Sequence, residues 1–95
     1  MNTERTILIT AAGLKALRKS SLTKVENIVF WYLIESIPLA GNLISHVDLG
    51  EKVSVNNVRI GRIMKRFCEI GFLIRGVKMG LNYHYKLNPA FFRIL

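Results

Sequence analysis

The sequence predicts a mainly α domain finished by a small β-hairpin, and three observations carry that prediction. Residues that cap helices recur ahead of apolar patterns spaced i, i+3, i+4: Thr10, Thr23, Ser45, and either Asn56 or Ser54, each precede one. After Gly71 the helical period stops, and two β-branched or aromatic runs follow, separated by a glycine-containing stretch. The chain of 95 residues, 51% hydrophobic and 21% charged, is sized for one domain over residues 1–95 with a single modest core. No repeat, low-complexity tract or linker divides it.

Each element has a local reason. Thr10 caps a first helix, Ala11 to Lys19, with Leu14 and Leu17 on a narrow apolar edge, and Ser20 and Ser21 end it. Thr23-Lys24-Val25-Glu26 is a capping box, in which hydroxyl and carboxylate each satisfy an orphan amide. The helix it opens, Lys24 to Ser36, is apolar on most of its surface and is the expected core helix, punctuated by Pro38 and Gly41. Ser45 caps a short helix from His46 to Lys52, with Asp48 in its positive first turn. After the turn Val53-Ser54-Val55-Asn56, a helix runs from Asn57 to Ile70 and stops at Gly71. Phe72–Arg75 and Tyr83–Leu87 make a hairpin around a tip at residues 76–82. Asn88-Pro89 then starts a last short helix, Ala90 to Leu95.

Charge narrows the function. Fourteen Lys and Arg against six Asp and Glu give a formal net charge of +8, which suits a polyanionic partner: nucleic acid or an acidic membrane surface. The longest apolar run, Ile28 to Ile34, is far short of the roughly 20 residues that span a bilayer, so no membrane anchor is expected. With one cysteine, Cys68, there is no internal disulfide, and His46 and His84 lack partners at metal-ligand spacing. No phosphate loop, nucleophile elbow or carboxylate pair is present, so neither an enzyme nor a cofactor is expected. The absence of a secretory signal points to the cytoplasm.

The charge is focused. Between Arg59 and Lys78 lie six cations and one acid. On a helical wheel Ile60, Ile63, Met64 and Phe67 share one face and must turn inward, so Val58, Arg62, Lys65, Arg66 and Glu69 turn outward with Arg59 on the flank. A short helix, a turn and a second helix with a basic outer face is the helix-turn-helix layout, whose second helix enters the DNA major groove. Near its start, Asn56, Asn57, Arg59 and Arg62 are the candidates for base edges; Lys65, Arg66, Arg75 and Lys78 are the candidates for phosphates. Ser45, capping the preceding helix, completes the DNA-contacting set.

The stretch ISHVDLGEKVSVNNVRIGRIMKRFCEIGFLIR, followed by YHYKLNP, resembles the winged helix-turn-helix domain of small prokaryotic DNA-binding regulators. The resemblance covers about half the chain, from Ile44 to Asn88, with Lys24 to Ser36 as scaffold. Within that superfamily, Gly61 to Arg66 and Tyr85 to Pro89 are similar to plasmid and virus proteins, particularly archaeal ones, including replication, copy-control and segregation-site-binding factors. The resemblance implies a homodimer on a palindromic double-stranded DNA site, partition partner proteins, and, for some segregation factors, spreading along DNA. The sequence departs from the usual pattern at Ser54, where a glycine commonly ends the first helix, and at Gly61, inside the second.

The apolar ends, Ile7 to Leu17 and Phe91 to Leu95, either close the monomer core or build a twofold interface as helical extensions; the dimer is the favoured expectation. The rival from another class is a protein-interaction adaptor that leaves its groove helix unused.

Overall fold

The computed structural model describes residues 5–95. Strand β1 (Ile7–Ile9) leads into helix α1 (Ala11–Ser20), α2 (Lys24–Ser36), β2 (Asn42–Ile44), α3 (His46–Val53), α4 (Asn57–Ile70), β3 (Leu73–Met79), β4 (Asn82–Leu87) and β5 (Phe92–Ile94). The capping residues act as the sequence predicts. Thr10 Oγ1 accepts from Gly13 N, Thr23 and Glu26 form the reciprocal capping box, Ser45 Oγ accepts from Asp48 N, and of the two candidates for α4 it is Asn56 that caps, its Oδ1 accepting from Val58 N, while Ser54 ends α3. Gly71 ends α4 at φ +102°, a conformation that only a residue without Cβ adopts freely.

The core lies where α2 crosses α4 over the inner face of the small sheet. Val29, Phe30, Leu33 and Ile34 of α2 meet Ile60, Ile63, Met64 and Phe67 of α4, all buried. Phe30 is the hub, with ring centroids 4.9 Å from Phe72, 5.6 Å from Phe92 and 6.0 Å from Phe67, in the tilted and edge-on geometries that aromatic quadrupoles favour. Burying four such rings at one point supplies much of the apolar drive of a chain this small.

The sheet differs from the sequence expectation. It has three antiparallel strands in the order β2-β4-β3, with Asn42, Leu43 and Ile44 opposite Tyr85, His84 and Tyr83. Sequence reasoning saw the β3–β4 hairpin and missed β2. The hairpin is also longer than expected, with Met79 paired to Asn82 across the two-residue turn Gly80-Leu81, where Gly80 takes φ +63°. Between Arg75 and Lys78 the register shifts, so that Gly76 and Val77 stand against His84, a bulge that twists the strand.

The chain's last element corrects an expectation outright. Ala90 to Leu95 is not a helix: Phe92, Arg93 and Ile94 form β5, paired antiparallel with Ile9, Leu8 and Ile7. Asn88 blocks the helix. Its Oδ1 accepts from Ala90 N at 3.0 Å and its carbonyl accepts from Phe91 N and Phe92 N at 2.9 Å, which turns the chain toward β1. Thr10 fastens the join, its amide donating to Phe91 O at 2.9 Å and its hydroxyl to Ala90 O at 2.6 Å. Phe92 thereby enters the core, so the C-terminal segment contributes to closing the monomer.

The departure at Ser54 has a structural account; the one at Gly61 has none. Ser54 adopts the left-handed conformation, φ +58° and ψ +47°, and its amide bonds Gly50 O, so the turn keeps its geometry with a serine in the glycine position. Gly61 faces α3, where an added Cβ would meet His46 Nδ1 at 3.4 Å. That is an ordinary contact distance and the backbone is unstrained, so nothing in the structure requires a glycine there.

Candidate nucleic-acid interface

Helix α3, the turn at Ser54 and helix α4 form a helix-turn-helix, with the β3–β4 hairpin as its wing. The crossing is tight because Gly50 is buried against the turn: a Cβ there would lie 2.4 Å from Val55 O. His46, at the start of α3, packs above Gly61 and brings Nε2 to 3.1 Å from Tyr85 Oη, joining α3 to β4. Burial holds His46 below its ordinary 6.5 and pushes Tyr85 up to about 12, so both are neutral and the join is a hydrogen bond between uncharged groups.

With the apolar face of α4 docked, Asn57, Val58, Arg59, Arg62 and Lys65 are exposed on its outer side. No acidic residue occupies the first turn of α4, so the positive end of the helix dipole adds to the side-chain charge and favours an anion. None of Arg59, Arg62 and Lys65 is in an ion pair among the described residues. Asn56 is exposed, but its Oδ1 is engaged at 2.8 Å by Val58 N; only its amide NH2 is left to donate outward. Ser45 is half-buried, and its hydroxyl accepts from Asp48 N at 3.2 Å, leaving its proton available to a phosphate oxygen.

Arg66 is placed differently from its fellow cations. The sequence assigns it to a phosphate, yet its Nη1 donates to Glu26 Oε1 at 2.9 Å and its Nη2 to Ser20 O at 2.7 Å. Glu26 is nearly buried and also accepts from Thr23 N at 2.9 Å. One guanidinium thus ties the last turn of α1 and the first turn of α2 to the middle of α4. Its work is to fix α4 in place, which removes it from the free cationic face. Beside it, Arg59, Arg62, Asn56 and Val58 line a cleft of about 430 Å³ against Thr23 and Glu26.

The wing carries Arg75 and Lys78, both exposed. Arg75 Cζ lies 4.5 Å from the centroid of the Tyr83 ring and Lys78 Nζ lies 5.5 Å from it. The half-buried tyrosine is a shelf that restrains two long cationic side chains and lowers the entropy lost when they meet an anion. The sequence places Tyr83 only at the start of the second hairpin strand; its part in holding the cations is not legible there, because the bulge that aligns residues 75 and 78 on one ring has no sequence signal.

Cys68 lies half-buried against the core, and burial pushes its thiol up, the opposite of the low value a reactive thiolate needs. Among the described residues, no group of three or more His, Cys, Asp or Glu is clustered, and no helix is long and apolar enough to cross a membrane.

No protein-family model and no curated protein sequence matches the chain. Among solved structures the fold is similar to that of MepR, described as a transcription regulator of the Staphylococcus aureus multidrug efflux pump MepA. The TM-score is 0.55 at 14% identity, over 83% of this chain and 56% of that one. The likeness is one of fold: a winged helix-turn-helix, spanning little more than half the length of the compared chain.

Proposed function

We propose that this protein binds double-stranded DNA, placing α4 in the major groove and the wing against the flanking backbone, and that it acts without catalysis as a cytoplasmic regulator. The observation that carries the reading is the orientation of α4. Ile60, Ile63, Met64 and Phe67 are buried, which commits Arg59, Arg62 and Lys65 to the opposite side, exposed and free of ion pairs among the described residues. The similar structure's description as a transcription regulator supports the same class of work.

The finer reading is a homodimer on a palindromic site, serving plasmid or viral segregation or transcriptional autoregulation. Leu8, Leu14 and Leu95, on elements outside the helix-turn-helix, remain exposed and offer apolar surface for a second copy. Two copies would set their groove helices one DNA turn apart, roughly 34 Å.

Fluorescence anisotropy on duplex DNA tests the reading. The three free phosphate candidates, Lys65, Arg75 and Lys78, each meeting one phosphate, give a plot of log affinity against log salt with a slope of roughly −2.7 per chain. Absence of binding at low salt would favour the adaptor reading. Light scattering tests the dimer: a mass of 10.8 kDa, that of one chain, at micromolar concentration contradicts it.

A further inference from the structure

We infer that Val58 is a sequence-reading residue that packs on the C5-methyl group of a thymine in the major groove; this rests on the placement of α4 proposed above. Val58 is the anomaly of the cationic face. It is 59% exposed, at the second position of α4, among Asn57, Arg59 and Arg62. A β-branched residue is a poor helix former, and this one has no core packing to justify it.

Its placement is nonetheless controlled. The backbone amide of Val58 donates to Asn56 Oδ1 at 2.8 Å, which pins the residue at the helix start, where a groove helix meets base edges. Arg62 and Lys65 follow at i+4 and i+7, so the three share one outward line, with the apolar residue first. In a helix valine has essentially one rotamer, so Val58 offers two methyl groups in fixed positions and loses little entropy on contact.

The ligand follows from chemistry. A phosphate backbone offers Val58 nothing, and desolvating its methyl groups against one would gain no hydrogen bond. Of the groups on a major-groove floor, the thymine methyl is the apolar one, and apolar side chains are its usual readers. The polar neighbours of Val58 then bracket an apolar contact, Arg62 having reach to the next base or its phosphate.

The test removes a single methyl group. Selection from a randomised duplex pool with the full chain yields a preferred duplex, in which each thymine is replaced singly by deoxyuridine. For the unaltered protein, one replacement should weaken binding about fourfold, the worth of one buried methyl, while the others leave it unchanged. In Val58→Ala, whose exposed position leaves the fold intact, that same replacement should have no effect. A preferred duplex with no methyl-dependent thymine, or a dependence that persists in Val58→Ala, overturns the inference while leaving DNA binding in place. A chain that binds no duplex overturns both this inference and the reading beneath it.

Discussion

Arg66 offers the most decisive test of how this molecule divides its cations between fold and ligand. Replacing it with Met keeps the aliphatic stem that lies along α4 and removes only the guanidinium. Two hydrogen bonds are lost, to Glu26 Oε1 at 2.9 Å and to Ser20 O at 2.7 Å. Charge-assisted bonds contribute about 1.5 to 3 kcal/mol each, and the Arg66 side chain is 39% exposed, so solvent screening takes back a good part. The net expectation is about 2 to 3 kcal/mol of lost stability, a drop in Tm of roughly 10 to 20 °C for a domain of this size. Circular dichroism melts and urea titrations measure it. A double-mutant cycle with Glu26→Gln should show a coupling of about 1 kcal/mol or more. DNA binding supplies the opposing measurement: with Arg66 held by Glu26, the salt slope of Arg66→Met should match that of the unaltered protein. Unchanged stability together with a slope shallower by about 0.9 would refute the reasoning and restore Arg66 to the phosphate-contacting set.

Other expectations separate the roles of neighbouring residues. Gly61→Ala should gain about 0.5 to 1 kcal/mol, since its Cβ meets His46 at an ordinary contact distance of 3.4 Å, whereas Gly50→Ala should lose about 1 to 3 kcal/mol against Val55 O; urea unfolding reads both. His46 is held below its ordinary 6.5 by burial, so the unfolded chain takes up the proton first. Its contribution to stability is present above pH 6.5 and is lost as pH falls below it toward the folded-state value; a pH series of melts should show that decline, and His46→Phe should flatten it. Arg62→Ala should weaken binding to a preferred duplex more than to random DNA, while Lys78→Ala should weaken both alike in anisotropy titrations. Equal losses for Arg62 would remove it from the base-reading residues.

The helices were legible because their signals are local. Thr23 and Glu26, Ser45 and Asp48, and Asn56 and Val58 sit within one turn of each other, and helix bounds drawn from such pairs agree with the structure to within a residue. The orientation of α4 was legible for the same reason, its apolar and basic sides being set by spacing alone. What failed was everything that depends on a distant partner. Strand β2 pairs across to β4, and β5 takes its form from β1 at the other end of the chain, so neither short apolar segment reveals its period. A five-residue run such as Phe91 to Leu95 suits helix or strand equally until a pairing edge decides. Arg66 was misplaced likewise: the acid near it along α4, Glu69 at i+3, does not pair with it, and Glu26, which does, lies 40 residues earlier in the chain.

The pairing of β1 with β5 also governs when this molecule is able to fold. Thr10 and Ala90 are 80 residues apart yet bonded, and Phe92 joins a core whose other members are all translated before it. During synthesis, Phe30 and Phe72 therefore await a strand made after every other buried member of the core, and the domain presents an open greasy seam until that strand emerges. Holding factors that shield such seams would meet the domain before β5 is made, and a nick within β5 would be felt at its centre.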